Sequence, residues 1–278
     1  MKFSIAFIIF LTTLCCKEIQ IKAFDPCTFY NLKEPNKVWR LPKALNEISG
    51  ISLSSQEEII CINDEQGKLF VYDLKNKTIT KKIPFAKKGD YEDVAIKGNT
   101  AFVLRSDGTI FEISNYLGTL TTIKHKTFLT KKDDAEGLFF DEDKNRLLIA
   151  CKGNSNNKKG NYTRLVYEFL LKDNHLNSNP VLTVSQNEIN KTYNLKNIIA
   201  PSGIAIHPIS KNIFILSSVN KILAEYTQGG KLQKIYSLDY SHFEQPEGIS
   251  FDKNGDLYIS NEAKKNKSNI LKFNYSHQ

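Results

Sequence analysis

Between Lys37 and Phe273 the chain is built from short apolar runs. Clusters of Gly, Asn, Asp and Ser separate them. Runs of this length with such boundaries predict β-strands joined by turns. One phrase recurs, a small or acidic residue, usually followed by Gly, then an apolar run. It occurs at Ser49–Leu53, Glu92–Ile96, Glu136–Phe140, Ser202–Ile206 and Glu247–Phe251, with steps of 43, 44, 66 and 45 residues. Strand-rich repeats of about 40–45 residues are the signature of a β-propeller.

Each phrase is followed by cognate runs. In the first repeat these are Glu58–Ile62, Leu69–Tyr72 and the lysine-interrupted Thr78–Phe85. Later second strands are expected at Thr100–Leu104, Arg146–Ala150, Asn212–Leu216 and Asp256–Ile259. The fifth repeat ends after its third strand, Asn269–Phe273. The run Lys37–Leu41 precedes the first phrase by the spacing of an outer strand. The pattern therefore predicts an all-β, five-bladed propeller closed by the N-terminal strand, which hides an open sheet edge. The 66-residue step reads as one blade with about twenty added residues, within 154–160 and 172–197. A sixth, degenerate blade there is the alternative.

In such a fold the first residue of each phrase enters an innermost strand, so Ser49, Glu92, Glu136, Ser202 and Glu247 ring one mouth of the central channel. Glu47, two residues before Ser49 in an extended segment, points the same way. Carboxylates converging on an axis either hold their protons or share a cation. An all-oxygen ring without His or Cys suits Ca²⁺ rather than zinc or copper. The alternative is that each Glu caps its own blade. Turns on the same face carry Asn63, Asp64, Arg105, Asp107, Lys152, Asn261 and Glu262. Arg105 and Lys152 are unusual in tight turns. With the carboxylates they form a candidate surface for a small polar ligand, a glycan or a protein.

The net charge of +8 arises from lysines scattered among Asn and Ser. No basic stripe with interleaved aromatics accompanies it, so the reading excludes nucleic acid as the expected partner. Residues 1–16 hold Lys2, an apolar run and Cys15-Cys16. Their length and order are those of a secretory signal. A cysteine at the end of that run predicts lipidation at Cys16, with Cys15 the alternative, 17–36 a tether and 37–278 the propeller. The expected location is the bacterial cell envelope, membrane-anchored as a monomer. Plain secretion is the alternative. Cys61 and Cys151 read as small buried apolar residues. Asp141–Asn145 opens like a calcium loop, but Arg146 stands at the required Gly, so it reads as a hairpin turn. His207 stands alone. No nucleophile motif or phosphate loop is present.

These phrases, together with Gly89-Asp90-Tyr91-Glu92, Leu104-Arg105-Ser106-Asp107-Gly108, Ala150-Cys151-Lys152-Gly153, Ile206-His207-Pro208, Gln245-Pro246-Glu247-Gly248 and Ser260-Asn261-Glu262, resemble the SdiA-regulated (YjiK-like) family. The resemblance implies a five-bladed envelope propeller, distantly similar to NHL-repeat proteins, with a calcium site. It implies no activity. The expected function is calcium-dependent binding without catalysis. The alternative is a calcium-dependent lactonase- or esterase-like hydrolase, with Asp64, Asp107 or Glu262 as the acid or base.

Overall fold

The computed structural model describes residues 24–25, 27–153, 162–193, 195 and 199–276. The signal-like segment, with Cys15 and Cys16, lies outside the described residues, as does the 154–160 insertion. Strand β1 is Lys37–Arg40. Blade 1 follows as β2 (Ile48–Leu53), β3 (Glu58–Asn63), β4 (Lys68–Asp73) and β5 (Thr78–Pro84), paired in that order. Blade 2 is β6 (Tyr91–Lys97), β7 (Thr100–Arg105), β8 (Ile110–Ser114) and β9 (Thr121–His125). Blade 3 is β10 (Ala135–Asp141), β11 (Arg146–Cys151) and β12 (Thr163–Leu170), whose outer edge takes both β13 (His175–Leu176) and β14 (Leu182–Ser185). The α-helix α1 (Gln186–Tyr193) follows. Blade 4 is β15 (Pro201–Ile206), β16 (Ile213–Ser217), β17 (Ile222–Tyr226) and β18 (Leu232–Ser237). Blade 5 is β19 (Pro246–Phe251), β20 (Leu257–Asn261) and β21 (Asn269–Phe273), with β1 on the outside.

The five blades and the N-terminal clasp are as the repeat predicts. Val38 pairs with Leu271 and Trp39 with Ile270. Among its described residues the long step holds no sixth blade. Its extra residues make β13, α1 and their connections around blade 3, and Ile189 and Tyr193 of the helix join the apolar layer between blades 3 and 4. The stretch from Cys27 to Asn36, read from sequence as part of a tether, packs on the propeller. Tyr30 and Leu32 are buried, and the Tyr30 hydroxyl donates to the Gly255 carbonyl at 2.6 Å.

Buried apolar layers between neighbouring blades hold the ring together. Around the axis the backbones approach too closely for side chains. A Cβ on Gly50 would sit 2.2 Å from Asp93 Oδ1, and one on Gly203 would sit 2.7 Å from the Glu247 carbonyl oxygen. This crowding is the reason for the Gly in the repeated phrase. Asp93 replaces that Gly in blade 2 and reaches across to the next blade. Its Oδ2 accepts the Leu138 N–H of blade 3 and its Oδ1 accepts the Val94 N–H, both at 2.8 Å. Asp93 is fully buried. Asp93→Ala strands two buried N–H donors, each costing about 1–3 kcal/mol. Urea unfolding is expected to show a loss of at least about 2 kcal/mol. A loss below about 0.5 kcal/mol would mean the latch contributes nothing.

Candidate functional site

All five innermost strands break register at the repeated phrase. Between β2 and β3, Ile48 pairs with Asn63 and Gly50 with Ile62, so Ser49 is the extra residue. Glu92, Glu136 and Ser202 are skipped in the same way, and Glu247 with Gly248 faces Ser260 across the last blade. A bulge turns its extra side chain out of the ladder and ends regular pairing. The phrase therefore turns five side chains out of the ladder by a backbone device shared by every blade, and four of them, Ser49, Glu92, Glu136 and Glu247, line one mouth of the channel.

The mouth holds a cavity of about 150 Å³ lined by Glu47, Asp64, Glu92, Glu136, Glu247 and Glu262. Ile48, Ser49, Lys152 and Gln245 complete its wall. Burial raises all the shifted carboxyls, and their neighbours add to it. Glu92 is pushed up to about 9, with Glu136 as the next cause. Glu136 rises to about 7 by burial, although Lys152 works to lower it. Glu247 rises to about 7 by burial and then by Glu136. Asp64 rises to about 6 by burial and then by Glu47. Glu262 is raised by burial and by Asp64. Like charges that cannot all ionise at neutral pH are thus gathered in one pocket.

Lys152 is the cation inside this ring. Its Nζ donates to Glu136 Oε1 at 2.7 Å. Burial works to lower the Lys152 ammonium, yet Glu136 carries it above its ordinary value. The blade 1 and blade 5 side has no such partner. Asp64 Oδ1 and Gln245 Oε1 are buried there without a hydrogen bond. Gln245 Nε2 donates to Glu262 Oε2. Gln245 was missed from sequence, although it immediately precedes the Pro246-Glu247 phrase.

The other expected residues are placed differently. Ser49 lines the cavity, but its hydroxyl donates to the Tyr91 carbonyl of blade 2 at 2.8 Å. The Ser202 hydroxyl donates to the Pro246 carbonyl of blade 5 at 2.9 Å, and Ser202 does not line the cavity. Asn63 caps its own turn, accepting the Glu65 and Gln66 N–H groups. Arg105 and Asp107 pair with each other at 2.6 Å, and that bond holds Asp107 down to about 2. Asn261 donates to the His242 carbonyl and to Asn269. None of Asn63, Arg105, Asp107 and Asn261 reaches the cavity wall.

The oxygen-only donor set fits a hard cation such as Ca²⁺. The orphaned Asp64 and Gln245 oxygens are acceptors that a cation would satisfy. Glu136 fits less well while Lys152 holds it. Among the described residues no three carboxylate, histidine or cysteine side chains form a ready-made metal cage. Binding an ion here requires the side chains to draw together. The opposite mouth is different in kind. Its cavity of about 320 Å³ mixes apolar residues such as Leu53, Ile96, Phe140 and Phe251 with the charged Asp141, Asp143, Lys211 and Lys253.

Fold and site together define a five-bladed propeller with a carboxylate-ringed channel mouth. A model of the SdiA-regulated family matches residues 35–265, and the chain belongs to that family. No curated protein matches it. Among solved structures it is similar to a Myxococcus xanthus glutaminyl cyclase (TM-score 0.60, 11% identity, 88% of this chain and 97% of that one). It is also similar to a chain of a nidogen/laminin complex (TM-score 0.54, 13% identity, 77% and 72%). A chain of a mitotic checkpoint complex gives TM-score 0.53 and 11% identity over 100% and 99%. At these identities the likeness is one of fold.

Proposed function

We propose that this protein is a calcium-binding, non-catalytic propeller of the bacterial envelope, lipid-anchored at Cys16, which binds a small polar ligand, glycan or envelope protein at its carboxylate-ringed mouth. The observation that carries the binding reading is the gathering of Glu47, Asp64, Glu92, Glu136, Glu247 and Glu262 around one cavity with a single lysine. Glu47, Asp64, Gln245 and Glu262 would supply the first oxygens to the ion. Glu136 would join only after releasing Lys152. When bound, the ion supplies positive charge to a polar ligand entering the mouth. The anchor reading rests on the cysteine that ends the apolar run of the signal-like segment.

The hydrolase reading retains one supporting observation. Glu92 keeps its proton to about pH 9 beside Glu136, which titrates near neutrality, and such a pair has the form of a general acid and base. No histidine lines the cavity. Loss of hydrolysis of lactone and ester probes on Glu92→Gln would favour this reading over the binding one.

An ion that binds only the folded state stabilises it by about 2.7 kcal/mol at a hundred times its Kd. The melting temperature is therefore expected to rise by roughly 5–10 °C with saturating Ca²⁺ and to fall with chelator. Asp64→Asn and Glu262→Gln should each weaken the response, while Asp173→Asn, in an exposed turn, should not. A melting curve indifferent to both calcium and chelator would remove the calcium reading and leave the carboxylates as proton-holding structural groups.

A further inference from the structure

Four arginines occur in the chain, and two of them are buried. Arg146, 7% exposed, is held by two carboxylates, Asp141 at 2.9 Å and Glu168. Arg164, 9% exposed in the same blade, has no carboxylate within ion-pair distance among the described residues. Among the described residues its one hydrogen bond is long, from Nη1 to the Thr163 carbonyl at 3.4 Å. Its Nε is buried with no acceptor. A guanidinium cannot escape burial by losing its proton. Taking such a charge out of water costs several kcal/mol unless hydrogen-bonded counter-charge returns it. The fold therefore carries, at a fixed place, a buried cation with no hydrogen-bonded counter-charge among the described residues.

That place adjoins the mouth. β12 begins at the end of blade 3 where β11 finishes and β10 starts, so Arg164 lies at the same end as Lys152 and Glu136. The Asp134 charge acts on Arg164 and on Lys152 without bonding to either side chain. Sequence reading passed over Arg164 because an arginine early in an outer-blade strand looks like any solvated one.

We propose that Arg164 anchors an oxyanion subsite at the mouth end of blade 3, taking a carboxylate or phosphate group of the ligand. The planar fork of a guanidinium matches either oxyanion through two parallel N–H bonds. The subsite is separate from the carboxylate cavity and does not depend on calcium.

The test measures melting curves and calorimetric binding for the whole protein at constant ionic strength, with inorganic phosphate or acetate replacing chloride. Wild type should be stabilised by at least one of the two anions. A response to phosphate alone assigns a phosphate-bearing ligand, and a response to acetate alone a carboxylate-bearing one. Arg164→Met should bind that anion at least about tenfold more weakly. Without added anion it should melt no lower than wild type, because a buried charge with no hydrogen-bonded counter-charge has been removed. Arg164→Lys, which keeps the charge and loses the fork, should bind several-fold more weakly. It serves alone if the Met variant does not fold. Asp134→Asn should strengthen anion binding by removing a repelling carboxylate. The proposal is overturned if neither anion moves the wild-type curve, or if Arg164→Met or Arg164→Lys responds as wild type does. It is also overturned if Arg164→Met and Asp134→Asn lose the same stability with no anion effect, which would make them a simple pair. The calcium response of Arg164→Met should equal that of wild type, so failure here is distinguishable from failure of the calcium reading.

Discussion

Without divalent cations, the protein is expected to lose stability steadily as pH rises from about 5 to 9. Glu92 keeps its proton in the folded state up to about pH 9, against an ordinary value of 4.5. Glu136 and Glu247 keep theirs to about 7. Between the unfolded and folded values the native state binds more protons than the unfolded one. Stability therefore falls as pH rises through that window. The stabilising share is complete below about pH 4.5 and is lost for Glu136 and Glu247 by about pH 7, and for Glu92 by about pH 9. Asp64 follows the same sign between 3.8 and about 6. Glu92→Gln removes the proton requirement at the most strongly shifted site. At pH 8 it should stabilise the metal-free protein by on the order of 2 kcal/mol, roughly 5 °C, and flatten the pH profile. Lys152→Met should act oppositely at pH 8, because Glu136 then ionises without its ammonium. Saturating Ca²⁺ should flatten the wild-type profile as the mutation does, since an ion stabilises the ionised carboxylates. Melting temperatures measured from pH 5 to 9, with chelator and with calcium, check all three. A chelated profile that rises across this range would show that the carboxylates are ionised and satisfied in the fold.

The propeller was legible because its signal is repeated. The small-then-apolar phrase reports a packing demand met by Gly in four of the five blades, namely innermost backbones too close for side chains. The clasp was legible because Lys37–Leu41 stands where an outer strand is missing. The bulge was not legible. Nothing in Glu136-Gly137-Leu138 states that Glu136 is skipped by the ladder, although the skip is what turns it to the mouth. Pairings distant in sequence were equally hidden. Lys152 stood out as a charged turn residue, but its bond to Glu136 depends on how β10 and β11 meet. Asp93 departed visibly from the phrase, and only the neighbouring blade explains it. Arg146 read merely as the wrong residue for a calcium loop. Its two carboxylate partners come from adjacent positions across the sheet, Asp141 on one side and Glu168 on the other. The packing of Tyr30 on blade 5 was obscured because its segment has no strand pattern of its own.

Trp39→Ala is expected to destabilise the protein more than any other single change considered. Trp39 is the only tryptophan and sits in β1, the strand that closes the ring. Its ring is buried and stacks on Tyr258 of blade 5, with centroids 6.2 Å apart. Its Nε1 donates to the Leu74 carbonyl of blade 1 at 2.7 Å. One side chain thus ties the last blade to the first. Truncation removes a large buried surface and leaves a cavity, at about 3–5 kcal/mol, and it also leaves the Leu74 carbonyl without its donor. Against a typical total of about 5–15 kcal/mol, this is enough to populate open forms. An open form exposes the free edge of β21, a template for pairing with other chains. Trp39→Phe keeps most of the stacking and loses the N–H bond, so it should cost only about 1–2 kcal/mol. Arg40→Ala, exposed and on the opposite face of the same strand, should cost less than about 0.5 kcal/mol. Urea melts of the three variants, with light scattering to follow aggregation, give the ranking. If Trp39→Ala lies within 1 kcal/mol of wild type, closure depends on the β1–β21 backbone ladder alone and the tryptophan tie is dispensable.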